Sequence, residues 1–226
     1  MFREEKFRGR DPDVVVRSKT TFKDPLKWKL PRKVFTCSLS DFFIEEADAW
    51  RGEAWAIIKA TPHTYQILTK RPENIAARLP KDWGEGYPNV WLVVSTENQD
   101  AADLRIPILL EIPAAVRGLS CEPLLEELKV KAWLYGKGYP WMEQPQPMGT
   151  REKFDKEHPF WDAKIDWVIC GGESGAGYRE MNLDWARSLR DQCKAAGVAF
   201  WYKQSSGIRS GMNPTLDGKE YHEFPK

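Results

Sequence analysis

The tightest constraint on this chain is a repeated switch from an unbroken apolar run to a polar end. Six such runs occupy residues 34–38, 64–68, 90–95, 115–120, 166–170 and 198–202. Most are continuous rather than alternating, the pattern of parallel strands covered on both faces. Helical segments lie between several of them. Residues 41–60 carry apolar side chains at helical spacing, with Pro62 as a stop. Residues 72–79 open with proline at a plausible first helical position. Residues 99–111 read as a helix that Pro107 kinks or divides. Residues 182–196 run from an Asn182 cap to a Gly197 stop. Strand, helix, strand in repetition predicts right-handed β-α-β crossovers and an α/β fold. The expected architecture is a partial or complete (β/α) TIM-type barrel of parallel strands, one domain over residues 1–226.

The polar ends carry the chemistry. They read Ser40-Asp41, Thr69-Lys70-Arg71, Thr96-Glu97-Asn98-Gln99, Cys121-Glu122, Gly171-Gly172-Glu173-Ser174 and Lys203-Gln204. In a parallel sheet all these ends point one way, and ligands of such folds bind there. Glu97, Glu122 and Glu173 are the candidate catalytic carboxylates; Glu97 or Glu122 is a general base if desolvated, or else is locked in a salt bridge with Arg71 or Lys203. Asp41, Lys70, Arg71, Asn98, Gly171, Gly172, Ser174, Lys203 and Gln204 are the candidate ligand-binding set. Glycines at 171 and 172 permit close main-chain approach, because no Cβ intervenes. The stretch 171–177 is neither a dinucleotide fingerprint nor a P-loop; it reads as an anion-binding turn or a plain left-handed turn. Ser174 is not in a nucleophile elbow.

Composition adds limits. The net charge is +1, but residues 1–33 hold eleven Lys/Arg against five Asp/Glu, leaving about −5 for the rest. That basic segment reads as a phosphate-facing surface or a solvated charged one. Residues 132–164 break the strand–helix rhythm. Rich in aromatics, Pro and Gly, they read as an insertion whose Trp133, Tyr135, Tyr139, Trp141, Phe160 and Trp161 either stack on a flat ligand or pack on the exterior. The four cysteines show no metal-binding spacing, and Cys37, Cys121 and Cys170 sit in or beside apolar runs as small buried hydrophobes. His63, His158 and His222 read as surface residues, so no metal ligands are assigned. No secretory or membrane-spanning segment is evident, which predicts a soluble, cytoplasmic protein.

The segments "VFTCSLSDFF", "TYQILTKRPENI", "NVWLVVSTENQ", "RIPILLEIPAAVRGLSCEPLL", "IDWVICGGESGAGYREMNLDWARSLRDQCKAAGVAFWYKQ" and "DGKEYHEFP" resemble one uncharacterised family of phage and bacterial proteins of the phage Gp type. Its members carry an N-terminal three-cysteine motif similar to the iron–sulfur ligands of radical S-adenosylmethionine enzymes. The resemblance runs from about Phe2 to the C-terminus, apart from 132–164. It implies a radical-SAM-like barrel, with S-adenosylmethionine and a [4Fe–4S] cluster as cofactors of full-length members. It also implies that Glu97, Glu122, Glu173 and the Gly171-Gly172 turn hold S-adenosylmethionine or substrate. The family's first strand and cysteine loop have no counterpart in "MFREEKFRGRDPDVVVR", so the chain is expected to be N-terminally shortened and to lack the cluster motif. Two other readings stand beside it. One is a nucleic-acid or nucleotide binding module; the other is a hydrolase or lyase run by the strand-end carboxylates without a cluster.

Overall fold

A strand that is apolar on both faces can satisfy its backbone only through its neighbours, and the apolar runs pair accordingly. The computed structural model describes residues 15–37, 40–136 and 163–226. Among these, six parallel strands form one sheet in chain order. They are β1 (Lys33–Thr36), β2 (Thr64–Thr69), β3 (Val90–Ser95), β4 (Val116–Cys121), β5 (Trp167–Gly171) and β6 (Ala199–Gln204). Four α-helices accompany them: α1 (Asp48–Ala60), α2 (Gln99–Leu110), α3 (Lys131–Tyr135) and α4 (Leu183–Ala196). The expected α/β class and sequential parallel order are met, with β1 and β6 at the ends of the order. No described helix is long and apolar enough to cross a membrane.

The chain divides into two compact units, Met1–Val93 with Pro113–Ala115, and Val94–Ile112 with Val116–Lys226. In the first, β1 pairs with β2 in the register Lys33↔Thr64 to Thr36↔Ile67. Its core is aromatic. Trp55 meets Phe42 edge-on at 4.9 Å and Trp83 at 5.4 Å, while its indole N–H donates to the Arg78 carbonyl at 3.0 Å. In the second unit, every residue of β5 is buried, and β5 pairs with β4 on one side and β6 on the other. Leu189 and Cys193 of α4 are fully buried. Asn182 Oδ1 caps that helix by accepting from the Asp184 N–H at 2.9 Å, and Gly197 ends it in a left-handed conformation, φ 67°.

Several expectations are corrected. α2 runs through Pro107 without division. Proline removes one bond to the carbonyl four residues back, but Pro107 and Asp103 are exposed, so water can take that carbonyl. The fully buried Ala102, Ile106 and Leu109 hold the helix together. Residues 72–79 form two 3-10 turns, Pro72–Asn74 and Ala76–Arg78, rather than an α-helix. Pro80 holds Leu79 in extended backbone, and the short segment before it closes with i→i+3 bonds, such as Arg78 N–H to the Ile75 carbonyl at 2.8 Å. The α1 helix begins at Asp48, not residue 41, after a 3-10 turn Glu45–Ala47. His63 is buried, not on the surface. Its Nδ1 accepts from the Arg32 N–H at 3.2 Å and its Nε2 faces the Pro25 carbonyl at 2.9 Å, so the ring bridges two chain segments as the Nε2-protonated tautomer. Cys37 is exposed, while Cys193, which no apolar run flagged, is buried. Of the 132–164 segment, Trp133 and Tyr135 belong to α3, and Tyr135 donates to the Ala195 carbonyl at 2.8 Å. The remaining aromatics named there, and His158, lie outside the described residues.

The two asparagine caps, Asn98 half-buried and Asn182 exposed, lie on different helices, so their losses should be additive and small. Asn98→Ala and Asn182→Ala should each cost about 1 kcal/mol, read as a lower urea midpoint at unchanged slope.

Candidate functional site

In the second unit the carboxyl ends of β3 to β6 each deliver a charged or glycine residue. β4 ends at Cys121, placing Glu122 at the first turn beyond it. β5 ends at Gly171, and an added Cβ there would lie 2.8 Å from Glu122 Oε1. Glu122 therefore packs over the main chain at Gly171, and only glycine leaves it that space. Along β6 the pairing steps from Cys170↔Tyr202 to Gly171↔Gln204, which makes Lys203 the extra residue of a bulge. A bulge re-aims a side chain. Here Gln204 is buried while Lys203 reaches outward and pairs with Glu122, Nζ to Oε1 at 2.8 Å.

Gln204 serves the scaffold. Its Nε2 donates to the Gly172 carbonyl at 3.0 Å, and its Oε1 accepts from Ser210 Oγ at 3.1 Å and the Gly211 N–H at 2.6 Å. The loops after β5 and β6 continue side by side: Gly207 N–H donates to the Glu173 carbonyl and Gly175 N–H to the Gly207 carbonyl, both at 3.0 Å. Ser174 lies at that junction, bridged to Gly207, with its side chain exposed. A Cβ on Gly172 would meet the Ser206 amide nitrogen at 2.3 Å, a backbone contact that cannot yield.

Glu97 and Glu173 have partners that the sequence did not disclose. Arg105, two turns into α2, donates to Glu97 Oε2 at 2.9 Å and to the Ser95 carbonyl at 2.8 Å. Arg179 grips Glu173 through Nε at 2.8 Å, Nη2 at 3.2 Å and its own backbone N–H at 2.8 Å. Asn98 is a helix cap, its Oδ1 accepting from the Ala101 N–H at 2.8 Å. The pairing of Glu97 with an arginine eight residues on depends on where α2 turns, and Arg179 sits in a loop with no periodicity. Neither leaves a sequence signal.

In the first unit Asp41, Lys70 and Arg71 come together. Asp41 is buried and accepts from Thr69 Oγ1 at 2.8 and 2.9 Å, the Phe43 N–H at 2.9 Å and the Lys70 N–H at 3.0 Å. Arg71 completes the set with an ion pair at 3.4 Å. Thr69, not singled out in the sequence, is the hub, since its hydroxyl also accepts from the Arg71 N–H at 2.9 Å. A carboxylate so fully satisfied ties β2 to the chain leaving β1; it is a clamp rather than a base.

An iron–sulfur cluster needs several thiolates converging on one site. Burial pushes the Cys121 thiol up to about 12 and the Cys170 and Cys193 thiols well above their ordinary value. Cys121 Sγ is occupied by Thr96 Oγ1 at 3.2 Å. Among the described residues no group of three or more His, Cys, Asp or Glu side chains is placed to hold a metal ion. These cysteines do not fit the cluster.

Parallel strands in chain order, with carboxylate–cation pairs at their carboxyl ends, define an α/β protein of the β-α-β class. The chain belongs to DUF5131, a family of proteins of unknown function, whose profile matches residues 3–225. No curated protein and no solved structure matches it.

Two outcomes follow from this geometry. Gly172→Ala should destabilise by about 3 kcal/mol or more, since it strains a backbone contact. Gly171→Ala meets only a side chain and should cost less while displacing Glu122, a difference visible in paired urea titrations. In native protein a maleimide should modify Cys37 alone, with Cys121, Cys170 and Cys193 reacting only after unfolding, as peptide mapping would read.

Proposed function

We propose that this chain is a radical-S-adenosylmethionine-like (β/α) domain of TIM-type ancestry that binds the amino-acid moiety of S-adenosylmethionine at the carboxyl ends of β4 to β6. The observation that carries this reading is the Glu122–Lys203 pair, set against the Cβ-free surface of Gly171. An α-amino acid presents an ammonium and a carboxylate on one carbon, the same two charges in the opposite sense. Its ammonium replaces Lys203 at Glu122, and its carboxylate replaces Glu122 at Lys203.

The exchange is energetically reasonable. Lys203 is 45% exposed, and a pair that open to water contributes on the order of 1 kcal/mol or less. A zwitterionic ligand forms two such charge-assisted pairs where the native arrangement has one. Separating the native pair is therefore the smaller quantity. Gly171 leaves room beside Glu122 for the ligand's backbone-like carbon, and Gln204 fixes the neighbouring Gly172 carbonyl. S-Adenosylmethionine supplies, when bound, an electrophilic sulfonium. Glu122, Lys203 and Gly171 bind and orient it.

Equilibrium dialysis with labelled S-adenosylmethionine tests the reading. Binding should be seen, and Glu122→Gln and Lys203→Met should each weaken it by about tenfold or more. Adenosine, which lacks the zwitterion, should compete poorly. Absence of binding, equal competition by adenosine, or indifference to both substitutions would overturn it.

A further inference from the structure

The first unit holds a cleft that the strand-end site does not use. It has a volume of about 700 Å³, and its lining includes Arg17, Lys19, Lys23, Lys27, Phe22 and Trp50, with no acidic residue among the described ones. The volume falls within the range of small-molecule sites. Within the described part of this segment, residues 15–27 hold four Lys/Arg against Asp24 alone.

The charges are arranged in two ways. Arg17 lies flat over the Phe22 ring, 4.2 Å from its centroid, and it pairs with Glu53 at 2.5 Å. Lys23 shares that carboxylate at 2.9 Å. One acid thus serves two cations, which leaves an excess positive charge at a point braced by an aromatic ring. Lys27 is 68% exposed and, among the described residues, tied only to Asp24 three residues away, a surface pair of little strength. Lys19 is exposed and has no ion-pair partner among the described residues. Trp50 is half-buried at the start of α1, giving the cleft a rigid apolar surface.

A ligand suited to this surface carries several negative charges and a flat ring. We infer that the Arg17–Lys27 cleft of the first unit is a nucleotide-phosphate site, in which Lys19, Lys23 and Lys27 meet phosphate oxygens and Trp50 offers the stacking face. Lysine ammoniums serve phosphates as point charges, and bases stack on aromatic side chains without regard to sequence. A free nucleotide and a single strand present the same phosphate chemistry to this surface.

Fluorescence anisotropy with a labelled short oligothymidine, with ATP as competitor, decides the matter in the full chain. Affinity should fall as salt rises, with a logarithmic slope of about 0.7 per phosphate contacted. The double variant K19E/K27E changes two exposed side chains and should weaken binding by about tenfold or more, its far-ultraviolet circular dichroism unchanged. Competition by ATP assigns the cleft to a single nucleotide; failure of ATP to compete, with the strand still bound, assigns it to a run of phosphates. Absence of binding by both probes, salt-independent binding, or equal binding by K19E/K27E would overturn the inference. The strand-end site is untouched by these substitutions, so the fate of S-adenosylmethionine binding is read independently.

Discussion

Burial of β5 on both faces, between β4 and β6, is the constraint from which the second unit follows. A strand with every residue buried can carry no unpaired polar side chain along its length. Val168, Ile169 and Cys170 comply, and polarity is deferred to the turn beyond Gly171. β3 keeps its one polar residue, Ser95, to its last position, and β4 carries Arg117 where the Ile112 carbonyl satisfies its guanidinium. The concentration of charge at the carboxyl ends is thus a result of packing before it is anything functional. Function, where it arises, uses the only positions that the sheet leaves available.

Close approach of the main chains then decides the shape of those ends. Gly172 lies so near the Ser206 amide that the β5 and β6 loops travel together, and the Gln204 amide locks them from inside. Tyr202 closes the same region, its hydroxyl 2.9 Å from Ser205 Oγ. Glu122 can lie over Gly171 because the strand beneath it has neither side chain nor freedom to move. A rigid platform with one outward lysine is what a bulge at Lys203 produces from an otherwise regular strand.

How much of this was legible in the sequence depends on the range of the interaction. Strand positions were legible because they need only composition and run length; all six predicted runs overlap observed strands, with β3 matching at both ends. Caps at Asn98 and Asn182 are local and follow the same logic. Pro107 misled because a proline's effect depends on which face it occupies, and burial of Ile106 and Leu109 outweighs one missing bond. His63 misled because its partners, Arg32 and Pro25, are far away in sequence. Of the candidate site, the strand-end residues were found by position alone. Lys203 as a salt-bridge partner of Glu122 was legible in the same way, but Thr69, Arg105 and Arg179 earn their places through tertiary geometry that no spacing encodes.

The three carboxylates of the second unit differ in what holds them, and that difference singles out Glu122. Glu173 is held by three donors of one arginine, a forked grip whose geometry resists exchange. Glu97 faces Arg105, which is itself anchored on the Ser95 carbonyl, and both side chains are mostly covered. Releasing the Glu97–Arg105 pair would strand covered charges, whereas Arg179, itself 61% exposed, holds Glu173 by the number of its donors. Lys203 brings a single flexible ammonium to Glu122, and no second anchor on the protein is needed to keep it solvated when it lets go. A lysine so placed can change partners where an arginine would stay. The ability to bind a zwitterion therefore rests on the kind of cation at position 203 as much as on the carboxylate it faces.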